Sequence, residues 1–157
     1  MTTLRRRLAK LLHLSWPDRW LLVETYILLG LARLAINIIP LRRLAPWIGA
    51  QAQETPAEIS PAHLREAERI AWAVRTVSRY TPWQSNCYPQ ALTAKLLLRR
   101  KQIPSTLYLG ATLHPTTAGQ PALGPAMTAH AWLRCGPLSV TGGRGQDTYT
   151  VLAAFGA

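Results

Sequence analysis

The sequence predicts an α+β domain in which N-terminal helices cover a small antiparallel sheet. Helical patterns fill roughly the first two thirds of the chain and strand patterns the last third, an order typical of this class. The 157 residues suffice for one domain with a real core and are too few for two of ordinary size. The hydrophobic fraction of 48% excludes a disordered chain.

The chain begins with basic and apolar helical patterns. Residues 1–14 carry Arg5, Arg6, Arg7 and Lys10 among leucines, which indicates a basic amphipathic start. Residues 15–18 form a helix-start signal with a proline in the first turn. Residues 20–39 are then strongly apolar until Pro40 ends them, and residues 41–49 are predicted to form a short basic helix.

The apolar segment 20–39 raises the question of a membrane. It is long enough to span a bilayer, which needs ~20 apolar residues. However, Glu24, Arg33 and Asn37 lie inside it, and a charge at the bilayer centre costs roughly 2.5–3.5 kcal/mol. The apolar part is also too long for a signal peptide and lacks a small-residue cleavage site. We therefore predict a helix that packs on the core or docks a partner, with a membrane-inserted or surface-lying helix as the alternative.

A polar stretch separates this region from the rest of the chain. Residues 50–61 are rich in Gln, Glu, Pro and Ser, which predicts a linker. Ser60-Pro61 then opens a clear helix over residues 62–80, with one apolar stripe and an opposite charged face that includes Arg75. We interpret those charges as solvated. The prediction is therefore a helical region 1–49, a linker 50–61 and a core 62–157.

The stretch from Asn86 to Arg100 carries the first candidate for chemistry, Cys87. Ser85 and Asn86 are good N-cap residues, and Pro89 is tolerated only in a first turn. Cys87 is therefore predicted to lie at or beside the positive end of a helix. A thiol is most easily ionised there, and the thiolate is the nucleophile. The alternative is a buried, inert cysteine.

Alternating β-type residues dominate the remainder of the chain. A proline- and glycine-rich mobile loop is predicted at 114–125, a tight turn at Gly136 and Pro137, and a flexible link at 142–146. Trp132 and Tyr149 are interpreted as core aromatics. The predicted strands are 106–113, 128–135, 138–141 and 148–155.

His130 lies on the second of these strands. A Cys that opens a helix and a His on a later strand form the papain-like arrangement: the imidazole takes the thiol proton, the thiolate attacks a carbonyl, and the imidazolium protonates the leaving amine. A hydrogen-bonded core histidine is the alternative. Cys135 is interpreted as a small core residue. No close C-x-x-C or H-x-x-x-H pair exists, so no metal site is predicted.

The net charge of the chain limits the classes of binding partner that are expected. The formal charge is +11, from 18 basic and 7 acidic residues, which favours acidic partners. No RNP-like motif, zinc-finger spacing or helix-turn-helix signature is present, so nucleic acid is not predicted as a partner. Two cysteines do not make the dense framework of a small secreted protein, and a reducing cytoplasm fits better.

Taken together, these blocks resemble a known family, the stand-alone leader peptidase of bacterial lasso-peptide biosynthesis. This is the protease half of the split B protein, and the resemblance implies a transglutaminase-like cysteine-protease fold. Each block is modest alone, and their order and spacing make the match specific. The matching blocks are residues 20–39 with Leu41-Arg42-Arg43-Leu44-Ala45, residues 87–92, residues 97–100 with Ile103-Pro104 and a strand ending at Gly110, residues 129–136, and Thr141-Gly142-Gly143.

The resemblance implies a function and its partners. Such proteins cut the leader from a ribosomally made precursor peptide, and a small leader-recognition protein delivers that precursor. An ATP-dependent, asparagine-synthetase-like cyclase then joins the freed amine to a side-chain carboxylate, so this chain itself is expected to need no cofactor. By analogy Cys87 is the nucleophile, and His130 is the general base and acid.

The match is incomplete at the third catalytic position, which the family usually fills with an acidic residue on the strand after the histidine. In the predicted hairpin, Gly142 and Gly143 lie opposite His130, and neither has a side chain. Asp147 is the only carboxylate downstream and is the candidate orienter of the imidazole. A backbone carbonyl, Thr141 or an acid lent by a partner are the alternatives.

The oxyanion hole is also only partly assigned. The backbone N–H of Cys87 is the obvious donor. The candidates for the second donor are Gln84, Trp83 and Gln90.

Two other functional classes stay open. One is a different acyl-transfer enzyme on the same core, such as a transglutaminase or an amidase. The other is a non-catalytic membrane or scaffold protein in which Cys87 and His130 are structural. The expected location is the cytoplasm, with contact to the inner-membrane surface through residues 20–39 as the variant of that expectation.

Overall fold

The structure, a computed structural model, describes residues 14–114 and 126–157. The predicted basic start, apart from Leu14, and the predicted loop 114–125, apart from His114, lie outside the described residues. In chain order the elements are α1 (Trp16–Ile38), α2 (Leu41–Ile48), β1 (Ala50–Gln51), α3 (Pro61–Val77), α4 (Cys87–Arg100), β2 (Thr106–His114), β3 (Ala126–Cys135), β4 (Leu138–Thr141), a 3-10 turn (Gln146–Thr148) and β5 (Thr150–Gly156).

The strands form one antiparallel sheet in the order β1-β5-β2-β3-β4, which confirms the predicted α+β class. β2 lies at the centre, paired with β3 on one side and β5 on the other. The predicted hairpin is present, with Cys135 opposite Leu138 across the turn at Gly136 and Pro137. β4 is an edge strand, and β3 continues beyond its end.

The two faces of the sheet have different surroundings. Side chains alternate between faces along a strand. On β3, Ala131, Leu133 and Cys135 are buried in the core against the helices. His130 and Trp132 therefore lie on the opposite face, which we call the outer face. α4 packs on the inner face of the sheet, and α1 and α3 pack on α4.

Local signals fix where the helices begin and end. The Ser15 side chain accepts a hydrogen bond from the Asp18 amide, as the helix-start signal predicted. Asp18 also accepts from Arg69 at 2.6 Å, which ties α1 to α3. The hydrogen bonds from Ser15 and Arg69 lower the pKa of Asp18. A second ion pair, between Glu24 and Arg100, ties α1 to α4.

Several predicted boundaries shift. β1 lies inside the predicted linker, because Ala50 and Gln51 pair with the end of β5. α3 ends at Val77 rather than at residue 80, and β5 begins at Thr150 because residues 146–148 form a 3-10 turn. Leu21 of α1 and Ile48 of α2 join the same buried cluster as the sheet. The division into regions 1–49, 50–61 and 62–157 stays a prediction.

α1 has one buried face and one exposed face. Leu21, Thr25, Leu29 and Ala32 are buried against the core. By length and composition the helix also meets the criterion for crossing a bilayer, with a mean hydropathy of 1.7 over its most apolar window, 22% of which is buried inside the protein. Core helices and signal sequences meet the same criterion, so this is weak evidence for a membrane span.

Lys95 is fully buried between α4 and the sheet, and its burial should make the free energy of unfolding depend on pH. Its Nζ donates to the Ser105 carbonyl at 2.6 Å, and burial lowers its pKa from 10.5 to about 8. Below pH 8 both the folded and the unfolded chain hold this proton, so the folded state carries the full cost of burying the charge. Between 8 and 10.5 the unfolded chain holds more protons, and the free energy of unfolding should rise with pH.

We therefore expect wild-type stability, relative to Lys95→Met, to increase by about 1–2 kcal/mol between about pH 7.5 and 9.5. Urea unfolding of both proteins at several pH values measures this difference. Burial raises the pKa of the neighbouring Cys135 thiol and the charge of Lys95 lowers it, so both proteins in the comparison carry Cys135→Ser and differ only at Lys95. A difference that stays constant with pH would contradict the prediction.

Candidate active site

Cys87 is the first residue of α4, with Asn86 at the N-cap position as predicted. The Asn86 side chain makes no capping hydrogen bond, whereas Ser15 and Ser60 cap α1 and α3 through their hydroxyls. The expectation of side-chain capping at α4 was wrong, because the Ser85 hydroxyl is engaged by Thr81 at 2.8 Å and Asn86 contributes only its backbone. The amides of the first turn therefore lack a side-chain acceptor, which leaves the Cys87 N–H suited to bind an oxyanion.

The loop before Cys87 is held by a small hydrogen-bond network. The Thr81 hydroxyl lies within hydrogen-bond distance of the Trp83 carbonyl, at 3.1 Å, and of Ser85. Gln90 Nε2 donates to the Ser85 carbonyl at 2.5 Å, which joins the loop to the first turn of α4. The half-buried Cys87 carries a free thiol and packs on the hydrophobic core. The network thus fixes the position of Cys87 at the start of α4.

His130 is held by a backbone carbonyl. Its Nε2 lies 2.8 Å from the Gly142 oxygen, so Nε2–H donates and the neutral ring keeps its lone pair on Nδ1. The ring is stacked against Trp132, with centroids 5.8 Å apart, and against Tyr149, at 4.9 Å. The imidazole therefore has one fixed tautomer and one fixed plane, with Nδ1 as the nitrogen able to accept a proton.

Glycine is required at position 142 for this contact. Its φ is +67°, in the left-handed region that side chains rarely adopt. A Cβ there would lie 2.5 Å from the Ala131 carbonyl oxygen and 2.9 Å from the Trp132 Cβ. Only glycine brings this carbonyl against the imidazole, so the Gly142-Gly143 pair contributes to the site through its backbone.

Asp147 lies on the 3-10 turn and is exposed. It lines a cleft of about 360 Å³ on the outer face, together with Trp132, Arg134 and Tyr149. The hydrogen-bond partner of His130 is the Gly142 carbonyl rather than Asp147. A backbone carbonyl was one of the alternatives that the sequence left open, and the assignment of Asp147 as orienter stays a prediction.

Replacement of Asp147 tests whether its carboxylate or the Gly142 carbonyl orients the imidazole of His130. Because a carbonyl already accepts from Nε2, we expect Asp147→Asn to lower kcat/KM by less than about threefold, against roughly 10²-fold or more for loss of an orienting group. Initial rates of substrate cleavage give the ratio. A loss of 10²-fold or more would mean that the acid swings in during catalysis.

A second cleft, of about 630 Å³, joins α4 to the histidine. Gln90, His130 and Thr141 line it, whereas Cys87 lines neither this cleft nor the outer-face cleft. Cys87 and Gln90 are three residues apart in one helix and so lie on the same side of it, with Cβ atoms about 5–6 Å apart. Because β3 runs past the end of β4, the imidazole is reached from this open edge. Gln84 is exposed and lines neither this cleft nor the outer-face cleft.

The second cysteine has the environment of a core residue. Cys135 is fully buried, and its thiol donates to the Pro104 carbonyl at 3.2 Å. Burial raises the pKa of this thiol, which keeps it protonated and unreactive. Cys87 is therefore the accessible thiol of the pair. Within residues 14–114 and 126–157, no group of three or more His, Cys, Asp or Glu side chains is placed to hold a metal ion.

Two parts of the site were not predicted. Tyr149 was interpreted as a core aromatic, and it stacks instead on the catalytic candidate His130. Its position at the start of a predicted strand, two residues after Asp147, was the available signal. Arg75, one of the arginines of the larger cleft described below, was interpreted as part of a solvated face, because helical periodicity reports only which face of a helix is polar.

Comparison with known proteins gives one match. A family model described as the transglutaminase-like superfamily matches residues 34–154, a range that includes α2 to β4, most of β5, and every candidate site residue. Members of that superfamily are generally cysteine-type enzymes. Searches of curated proteins and of solved structures returned no significant match.

Proposed function

The chain belongs to the transglutaminase-like superfamily, and from that premise we propose that it is a cysteine peptidase that removes the leader from a lasso-peptide precursor. The observation that carries the proposal is the state of His130. Its Nε2 is committed to the Gly142 carbonyl, and its Nδ1 is free to act as a base in a cleft that also contains Gln90, one helical turn from Cys87.

The chemistry follows from these groups. Nδ1 of His130 takes the proton of the Cys87 thiol, and the thiolate attacks the carbonyl carbon of the scissile bond. The Cys87 amide and the remaining amide hydrogen of Gln90 stabilise the oxyanion. The imidazolium then protonates the leaving amine, which departs with the core peptide. Water, deprotonated by the same imidazole, hydrolyses the thioester and releases the leader with a new carboxylate.

The proposed partners follow the family resemblance. A leader-recognition protein presents the precursor, and the cyclase that uses ATP acts on the released core peptide. In this scheme the chain needs no cofactor of its own, because thiol and imidazole supply both the nucleophile and the proton transfers. The work takes place in the cytoplasm, where the thiol stays reduced.

We assign the exposed face of α1 to the leader-recognition protein. Its apolar residues are spaced by three or four, the pattern of a helix that packs against another element, and each is 49–68% exposed. The opposite face of α1 is packed on the core, so lipid cannot surround this helix in the folded protein. This face, the α1 stripe, consists of Trp16, Trp20, Val23, Ile27, Leu31, Leu34 and Ile38.

The α1 stripe is tested by co-purification. Ile27→Glu with Leu31→Glu should abolish retention of the recognition protein, while Leu152→Glu, at an equally exposed apolar position on β5, should retain it. Truncation is unsuitable, because α1 also supplies core residues. Unchanged retention would remove the assignment. Flotation with anionic vesicles, lost in the same double variant, would assign the stripe to a membrane surface instead.

The reaction is tested with the purified precursor, the recognition protein and this chain. We expect mass spectrometry to detect two fragments whose masses sum to the precursor plus one water. A product with the summed mass of two peptides less one ammonia would indicate transglutaminase activity, and a precursor in which one ammonia has been replaced by one water, with no peptide fragment lost, would indicate an amidase. An unchanged precursor, with folded protein and bound recognition protein, would favour the non-catalytic class.

A further inference from the structure

The wall of the larger cleft opposite the sheet edge is basic. Arg75 lies in the last turn of α3, Arg79 lies just beyond the end of that helix, and Arg144 follows the Gly142-Gly143 pair, so three arginines line the cavity that contains His130. We call this cavity the arginine cleft. Among the described residues, none of these three guanidinium groups has an ion-pair or hydrogen-bond partner.

Other arginines of the chain are neutralised by carboxylates. Arg69 pairs with Asp18, Arg100 with Glu24, and Arg134 lies 3.4 Å from Glu54. With 18 basic and 7 acidic residues, the chain has too few carboxylates for every cation. The arginine cleft is therefore a place where positive charge is concentrated without an internal counter-charge, beside the proposed general base.

A second observation points into the same cavity. Thr141 is only 7% exposed, lines the arginine cleft, and its hydroxyl has no hydrogen-bond partner among the described residues. The Ser139 hydroxyl, also on the lining, is buried and unpartnered in the same way. A buried polar group left unsatisfied costs about 1–3 kcal/mol. Both oxygens are shielded from solvent, so a polar ligand satisfies them only when the side chains rotate toward the cavity, and the arginines are the groups that meet such a ligand directly.

We propose that the arginine cleft binds a carboxylate side chain of the peptide substrate, close to the bond that is cut. This inference rests on the proposed function, and it adds a specificity for Asp or Glu. Arginine binds carboxylates through two parallel hydrogen bonds, which gives both affinity and orientation. Because His130 lines the same cavity, the bound residue is a near neighbour of the reacting carbonyl.

The lining argues for a peptide rather than a nucleic acid. Single-stranded nucleic acids stack their bases on aromatic side chains. Among the residues that the structure describes, no Phe, Tyr or Trp lines the arginine cleft, and Tyr108, Trp132 and Tyr149 line the outer-face cleft instead. A site with charge, hydroxyls and a backbone-rich glycine segment suits an acidic peptide.

Binding to an inactive variant tests the proposal without turnover. Cys87→Ala would be titrated into two fluorescein-labelled decapeptides that differ only by three Glu in place of three Gln. We expect the Glu peptide to bind at least tenfold more tightly at about 0.05 M salt, with the gap narrowing as salt rises. Arg75→Gln with Arg79→Gln, added to Cys87→Ala, should bring both peptides to the weaker affinity.

Arg65→Gln is the matched control, because Arg65 is an exposed arginine of the same helix outside the cleft. It should leave the tenfold preference in place. Equal binding of the two peptides, or an equal loss in the Arg65 variant, would overturn the proposal. So would tighter binding of a ten-residue thymidine oligonucleotide that depends on Arg75 and Arg79.

The result of the binding experiment is independent of the result of the precursor-cleavage experiment that tests the proposed function. If the preference for Glu holds and the precursor is not cut, the arginine cleft stands and the peptidase assignment fails. If the precursor is cut with no preference for Glu, the reverse holds. With an active enzyme, Arg75→Gln and Arg79→Gln should raise KM and leave kcat within about twofold, since they bind substrate in the ground and transition states alike.

Discussion

Cys87→Ser is expected to lower kcat/KM for leader removal by at least about 10³-fold. A serine hydroxyl is far less acidic than a thiol, and the site offers one imidazole with a carbonyl partner to activate it. The substitution removes no packing of consequence, since the side chains are nearly equal in size. Initial rates of precursor cleavage, followed by mass spectrometry, give the ratio, and thermal unfolding shows that both proteins are folded.

Cys135→Ser is the matched control. The Cys135 thiol is buried and donates to the Pro104 carbonyl, a bond that a serine hydroxyl can also make. We expect its kcat/KM to stay within about threefold of wild type, since its side chain is fully buried in the core and inaccessible to a substrate. Iodoacetamide should label Cys87 before Cys135 in the native protein, because Cys87 is half-buried and Cys135 is fully buried. If Cys87→Ser keeps full activity, the thiol is structural and the peptidase assignment fails.

The helix boundaries could be predicted closely because the residues that set them lie next to the helix ends in the sequence. Ser15 caps α1 and Pro40 follows its end, and Ser60 caps α3, all as the sequence indicated. The hairpin of β3 and β4 was fixed by the tight turn at Gly136 and Pro137. In each case the signal and the structure lie within a few residues, so no knowledge of the rest of the fold is needed.

Features that depend on distant pairing were missed. β1 is two residues long and exists because Gln51 lies opposite Phe155, a contact that no local pattern encodes. The arginine cleft lies between α3 and a segment after β4. It can be recognised only once the fold brings Arg144 to the same cavity as Arg75 and Arg79. Helical periodicity correctly placed Arg75 on a polar face, but it does not report which distant residues lie opposite that face in the fold.

The orienter of the histidine was left open for a different reason. Every residue has a backbone carbonyl, so the sequence cannot rank carbonyls against the single carboxylate of Asp147. The positive φ of Gly142 and the lack of space for a Cβ select one carbonyl, and both are properties of the folded backbone. The glycine pair that seemed to leave the third catalytic position empty is the segment that supplies its hydrogen-bond acceptor.

The second large effect concerns His130. We expect His130→Gln to lower kcat/KM by about 10³-fold, within the range for loss of a general acid–base catalyst. The glutamine amide can still donate to the Gly142 carbonyl, so the variant keeps a hydrogen bond there and loses the basic nitrogen. Without an internal base, the solvent must remove the thiol proton, and the residual rate should rise with the hydroxide concentration.

His63→Gln is the matched histidine control, since His63 lies in the first turn of α3 and lines neither cleft. Its rate should stay within about twofold of wild type. Thermal unfolding must accompany both variants, because His130 also stacks on Trp132 and Tyr149 and its loss weakens that cluster. A folded His130→Gln protein with wild-type rate and an unchanged pH profile would make the imidazole a packing residue. The steeper pH dependence, in contrast, is a signature that lost packing cannot produce, because stacking does not change with the ionisation of Cys87.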